Sequence, residues 1–319
     1  MMRAMQGSAA GPRGAGLGIR LERRGGLWPL ALAVASAFGL WACAHTARLP
    51  APPADGPPLA LDAAPEPDAS TVALWHLDEQ AGSEVLDAGS ARLNGVAGID
   101  SRPEFGRFVT GRRFTASINS FVLVPYSGTL DLGPAWTIEA WVKPSAYGPV
   151  ELSVIASRWT ESANEQSWVL GVLGIGRSLI GGAPPVPGLF QSVITRPGAG
   201  LIVLVLQPQD AGEPRAYTSS QPLDRDRWSH VAVTHDGSVL RFYLDGRLDA
   251  QYANVEAVRR SAAPLVLGNL IDPRWLVDAQ GSQRVPAELG KYPFYAFEGT
   301  VDELRLSNDA RIPAPRPHR

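Results

Sequence analysis

The chain has a single cysteine, Cys43, in 319 residues, so no disulfide can form within it. Its folded part must be held together by burial. An excess of one charge is also missing. There are 29 Lys and Arg against 31 Asp and Glu, a formal net charge of −2. Without a basic excess there is no electrostatic footprint for nucleic acid, and no acidic run marks a charged tail. The apolar run Leu27–Cys43 is 17 residues, short of the roughly 20 that a membrane-spanning helix needs. Within residues 70–310 no long stretch has apolar residues at the 3.6-residue helical period. The Gly-x-Ser-x-Gly elbow of the α/β-hydrolases is absent. What is abundant is Gly (33), Pro (28) and Trp (9), a composition suited to many turns around an aromatic-rich β core.

The N-terminus reads as a targeting segment. Arg20, Arg23 and Arg24 precede an uncharged stretch from Leu27 to Cys43, 17 residues long. That is the length of a signal-peptide apolar region with a positive flank. It closes on Leu40-Trp41-Ala42-Cys43, which resembles a bacterial lipobox. The resemblance implies cleavage before Cys43, a diacylglycerol on its thiol and acylation of the new amine, giving a membrane anchor. Ala44, where an inner-membrane protein would carry Asp, implies the outer membrane of a Gram-negative bacterium. Residues 44–69 hold seven prolines between Pro50 and Pro67. Such a segment favours extended polyproline conformations and reads as a tether. Residues 311–319 read as a disordered tail. The expected order is therefore a signal peptide (1–43), a tether (44–69), a folded domain (70–310) and the tail.

Within 70–310, short runs of Val, Ile, Leu, Phe and Trp alternate with clusters of Gly, Pro, Asn and Asp. This is the pattern of an all-β sandwich of two antiparallel sheets. In "AWTIEAWVKP", Trp136, Ile138, Ala140 and Val142 share one face, and Thr137, Glu139, Trp141 and Lys143 the other. "VLRFYLDG" places Leu240, Phe242 and Leu244 inward and ends in an Asp-Gly turn. "LIVLVLQ" is apolar throughout, as a strand buried on both faces would be. Trp75, Trp136 and Trp228 lie in strand blocks and are expected in the core.

Five blocks in order resemble the LamG-like (laminin G-like), concanavalin A-like jelly-roll domains. They are "VALWHLDEQAGSEVLDAGSARLNGVAG", "GRRFTASINSFVLVPYSGTLDLGPAWTIEAWVKP", "WSHVAVTHDGSVLRFYLDGRL", "APLVLGN" and "FEGTVDELRLSN". The resemblance implies a jelly-roll sandwich with its first and last strands side by side. It also implies a structural calcium, with Asp78 and Asp302 as first candidates for its carboxylates and Asp87 and Asn94 behind them; the competing reading is a solvated acidic pair with a turn role, and Asx residues suit turns by themselves. Two segments exceed the family pattern, residues 174–200 and 270–296. The second carries Trp275, Tyr292, Phe294 and Tyr295, whose rings could stack on sugar faces, and Arg274, which could bond to hydroxyls. The competing reading is that this loop covers a sheet.

Ser229, His230, His235 and Asp236 are the residue types of a serine hydrolase. Ser229 and His230 are neighbours on a strand and point to opposite faces, and His230 and His235 differ in parity. A triad needs contacts near 3 Å, which this spacing denies. The Glu-x-Asp-x-x-Glu strand of related glucanases is absent, and Glu139 stands as a lone carboxylate. The expectation is a non-catalytic module that binds a glycan or a protein partner and is attached to the membrane by lipid. A structural, oligomerising envelope protein and a polysaccharide hydrolase on the same fold are the alternatives.

Overall fold

The computed structural model describes residues 61–148, 151–160, 164–175, 190, 194, 198–210, 212–271 and 295–313. Cys43, Arg274, Trp275 and Tyr292 lie outside these residues. The described strands are, in chain order, β1 (Thr71–Trp75), β2 (Glu84–Val85), β3 (Gly95–Ala97), β4 (Arg102–Phe105), β5 (Thr110–Phe114), β6 (Val122–Val124), β7 (Ala135–Pro144) and β8 (Leu152–Thr160). There follow β9 (Glu165–Leu173), β10 (Leu201–Leu206), β11 (Arg215–Pro222), β12 (Ser229–Asp236), β13 (Val239–Leu244), β14 (Arg247–Ala253), β15 (Leu265–Leu267) and β16 (Gly299–Ser307). No helix among the described residues is long and apolar enough to cross a membrane.

The strands form two antiparallel sheets. The first runs β14-β13-β12-β7-β16-β5-β4, with β1 also paired to β16; the second runs β11-β10-β9-β8-β15-β6-β3-β2. The all-β jelly-roll sandwich expected from the sequence is thus what the chain forms. The first and last strands lie side by side, with Leu74 opposite Arg305 and Trp75 opposite Leu304.

Alternation places the core. Trp136, Ile138, Ala140 and Val142 of β7 meet Val231 and Val233 of β12, Leu240 and Phe242 of β13, and Trp168 and Leu170 of β9 between the sheets. Each such large side chain, fully buried, contributes about 1.5–3 kcal/mol. That supplies the cohesion a chain without disulfides needs. Strand β10 divides its apolar run between two clusters. Ile202, Leu204 and Leu206 face the central core, while Leu201, Val203 and Val205 face a second cluster with Phe190 and Tyr295. The continuous "LIVLVL" therefore marks a strand packed on both sides.

Turn chemistry follows the sequence where Asp-Gly occurs. Asp245 and Gly246 both have positive φ, 49° and 78°, as a two-residue type I′ hairpin between β13 and β14 requires. The limits of the packed unit are wider than alternation suggests. Leu61 is buried, the Glu66 carbonyl accepts a bond from Arg305 Nη1 at 3.5 Å, and Asn308 N–H donates to the Ser70 carbonyl at 2.9 Å. Arg311 pairs with Asp68, and its N–H donates to Thr137 Oγ1 at 2.8 Å. The last residues read as tether and the first of the tail are thus fastened to the sandwich.

Candidate functional site

Four aspartates that could serve as ligands turn out to hold backbone. Asp302 on β16 accepts the N–H groups of Arg107 (2.6 Å) and Phe108 (3.2 Å) on its Oδ2. Asp78, just beyond β1, accepts the N–H of Thr110 at 2.8 Å. The two predicted metal residues therefore converge on one feature, the turn of the β4–β5 hairpin, and brace it from below. Asp87 is fully buried and accepts three N–H groups, from Leu74 (2.8 Å), Gly89 (2.7 Å) and Leu93 (2.8 Å). Asn94 Oδ1 accepts the Asp87 N–H at 3.0 Å. Asp236 Oδ1 accepts from Ser238 and Val239, and its Oδ2 meets Arg241 at 2.5 Å.

Calcium fits this arrangement poorly. Hard cations need six to eight oxygens pointing at one centre. Here N–H donors already point at the carboxylates. Among the described residues, no group of three or more His, Cys, Asp or Glu is arranged to hold a metal. Asp302 keeps one buried oxygen, Oδ1, with no hydrogen-bond partner. Burial, with the nearby charges of Glu303 and Asp78, raises its pKa to about 7 against the two N–H bonds that lower it. Beside it, His76 Nδ1 lies 2.6 Å from Glu303 Oε2, and that bond pushes the His76 pKa up.

The outward face of the first sheet carries a buried charged centre on β7. Glu139 Oε1 accepts from Arg305 Nε (2.6 Å) and Nη2 (2.5 Å), and its Oε2 lies 3.2 Å from His230 Nε2. Burial would raise the Glu139 pKa, but the His230 bond and the Arg305 charge outweigh it and hold the carboxyl below its usual range. Glu139 is therefore an ionised structural partner and not a proton donor. The spacing that brings Arg305 to it comes from a β-bulge. The register on β7 shifts between Asp302 and Arg305, and Glu303 has φ 52°. Trp141 completes this face. Its ring meets His230 edge-on at 5.4 Å and Phe108 at 6.0 Å, and the Arg107 guanidinium lies 4.7 Å over it.

The hydrolase residue types are dispersed as strand parity requires. His230 serves Glu139, Asp236 serves the turn, and the His235 ring stacks on Trp136 at 5.6 Å while facing the carbonyls of Pro134 and Val255. Two expectations need correction. Trp228 is half-buried at the surface, with Lys143 Nζ 5.2 Å from its ring, and so is not core. Tyr295 is not open to a ligand. It is 2% exposed, packs against Phe190 at 6.2 Å, and donates its hydroxyl to Glu151 Oε1 at 2.7 Å. The same Glu151 oxygen accepts the Phe190 N–H at 3.0 Å. Phe190, Ile194 and Leu270 join Tyr295 against the outer side of the second sheet. The described parts of both unusual segments thus cover that sheet. Nothing in the sequence pairs Phe190 with Tyr295. Glu151, which joins them, carries no recognisable motif.

These features agree with a family comparison. The laminin G model described as the concanavalin A-like lectin/glucanases superfamily matches residues 116–314, more than half of the chain. The chain belongs to this superfamily. Among solved structures, the domain is similar to the binding domain of Paraclostridial Mosquitocidal Protein 1, with TM-score 0.51 and 10% identity over 76% of this chain and 49% of that one. It also matches the botulinum neurotoxin serotype G binding domain, with TM-score 0.49 and 12% identity over 75% of this chain and 48% of that one. A third match is domain 4 of an extracellular arabinanase of Geobacillus stearothermophilus in complex with arabinotriose. Its TM-score is 0.47, at 16% identity over 76% of this chain and 94% of that one. This superfamily member spans about half the length of the first two chains. No curated protein matches it.

Proposed function

We propose that the chain is a lipid-anchored cell-envelope protein whose sandwich binds a glycan or a protein partner and performs no chemistry on it. The observation that carries the reading is the state of the carboxylates. Sandwich glycosidases need two carboxyl groups facing a substrate, one of them able to donate a proton. Here Glu139 is held ionised by Arg305. Asp302, whose pKa does suit an acid, is fully buried and faces the hairpin backbone. A superfamily that includes lectins offers binding as the remaining use of the fold, though fold alone does not name a ligand.

In this reading Cys43 takes the lipid, placing the protein at the outer membrane of a Gram-negative cell. Arg274, Trp275 and Tyr292 are the proposed ligand contacts. Tyr295 drops out, because its ring is already packed. Palmitate labelling tests the anchor: the label enters the wild-type chain and is lost in Cys43→Ser. Polysaccharide pull-down and a glycan array test the ligand. The expected result is saturable binding that falls at least about tenfold in Trp275→Ala, a loss near 1.4 kcal/mol. Turnover of any bound polysaccharide would overturn the reading.

A further inference from the structure

Glu151 touches both of the segments that exceed the family pattern. It stands just before β8, and its carbonyl accepts the Gly174 N–H at 3.0 Å, one step beyond the Leu152–Leu173 pair of the β8–β9 ladder. That bond holds the start of the first segment, residues 174–200. The side chain then reaches further into the same segment, where Oε1 accepts the Phe190 N–H at 3.0 Å. The same oxygen accepts the Tyr295 hydroxyl at 2.7 Å, at the end of the second segment, residues 270–296. One carboxylate oxygen therefore serves two donors that are remote in sequence.

The rings make the tie mutual. Phe190 and Tyr295 are both buried and meet edge-on, and Phe190 also meets Trp159 edge-on at 5.2 Å. They share one apolar cluster with Leu201, Val203 and Val205 of β10. If either ring leaves, the other loses a buried face and Glu151 Oε1 loses one of its two bonds. A donor left buried without its acceptor is costly, so each segment is steadied by the other. The roots are fastened as well. Phe297 N–H donates to the Gly268 carbonyl at 2.9 Å, and Ala296 bridges Val154 on β8. The second segment thus leaves and returns through one hydrogen-bonded neck. Gly200 N–H donates to the Leu173 carbonyl at 2.8 Å and closes the first segment in the same way.

We propose that Glu151 is a positioning residue that makes these two segments one cooperative unit, so that a ligand held by the second is felt by the first. The proposal rests on the preceding reading only in placing the ligand contacts Arg274, Trp275 and Tyr292 in the second segment. In sequence those contacts fall between two points that the structure fixes, Ile271 and Tyr295, both buried. Glu151 secures the second point directly and ties it to Phe190. This role needs an acceptor oxygen and no charge. The amide oxygen of a glutamine can accept both bonds, and an alanine can accept neither.

Amide hydrogen exchange on the full chain tests the coupling without any ligand. The reporters are Ile194, whose N–H donates to the Phe190 carbonyl at 2.8 Å, and Phe297, so neither amide bonds to Glu151 itself. In Glu151→Ala both should exchange faster, each by at least about tenfold. Amides of the β7–β12 ladder should keep the wild-type rate in that variant, which shows that the sandwich is intact. In Glu151→Gln both reporters should stay at the wild-type rate. Tyr295→Phe, a change in the second segment, should speed Ile194 in the first. Faster exchange confined to the segment that carries the change overturns the proposal, and so does wild-type exchange of both reporters in Glu151→Ala. A second measurement uses the immobilised polysaccharides of the pull-down. Glu151→Ala should lose retention as Trp275→Ala does, and Glu151→Gln should keep it. Undiminished retention of Glu151→Ala overturns the positioning role. If no polysaccharide retains the wild type, the preceding reading falls, and the exchange rates alone decide this one.

Discussion

Glu139 is the buried carboxylate that pairs with Arg305 on the first sheet. Replacing it by Ala leaves the Arg305 guanidinium, 3% exposed, without its carboxylate. Breaking a buried pair from one side costs about 3–5 kcal/mol, and urea unfolding of Glu139→Ala should show a loss of that size. Asp302 gives a pH signature. Its folded pKa of about 7 lies above the roughly 3.9 of an unfolded Asp, so the folded state keeps a proton that the unfolded state releases. Stability should therefore fall as pH rises from about 4 to about 7. His76, raised by Glu303, acts in the same sense, since its contribution is lost as pH rises through its folded value. Denaturant midpoints measured across this range should fall in the wild type. Asp302→Asn should flatten the lower part of that fall and His76→Gln the upper part. Asp236, held at about 2 by Arg241 and two N–H groups against burial, contributes stability that is lost only on acidification from about 4 towards 2. That Asp78 and Asp302 approach one another was legible in the sequence, because the first and last strands pair. Their use was not. The N–H donors come from residues 107–110, remote in sequence, and no side-chain pattern announces a backbone donor.

At the scale of the element, alternation placed every β7 side chain on its proper face and recognised β10 as buried on both. It failed at β16. Alternation puts Asp302 and Arg305 on opposite faces, yet both pair with the outward row of β7, Asp302 opposite Trp141 and Arg305 opposite Glu139. The bulge at Glu303 supplies the extra residue that reverses parity, and a bulge has no dependable sequence signal unless a glycine marks it. Gly268, just after β15, is a point where the backbone itself demands glycine. Its φ is +76°, and an added Cβ would lie within the Phe114 ring. Gly268→Ala should lower unfolding stability by at least about 2 kcal/mol, seen as a reduced thermal midpoint with the β-sheet circular dichroism retained at low temperature.

For the whole molecule, composition and block order were enough to give a two-sheet sandwich of the right superfamily. They did not show that the outer side of the second sheet is dressed with an apolar layer, because Phe190 and Tyr295, which touch edge-on and share Glu151, are over a hundred residues apart in sequence. If the carboxylates brace backbone and hold no metal, chelation has nothing to remove. Thermal midpoints with excess calcium and with EDTA should coincide. A clear rise with calcium would reveal a site and overturn this account, since a cation at a hundred times its dissociation constant adds about 2.7 kcal/mol.

The pairing of β1 with β16 also has a mechanical consequence. Were the proposed anchor to hold the N-terminal side while a bound partner is pulled along β1, the load would reach the sandwich through this strand. Its ladder to β16 runs from Thr71 opposite Ser307 to Trp75 opposite Leu304. Force along a strand strains all these bonds together and does not peel them one by one. Asp68 with Arg311, and Ser70 with Asn308, clamp the point where the tension arrives. A domain joined to its support through this seam should yield to stretching only at high force, and in a single step.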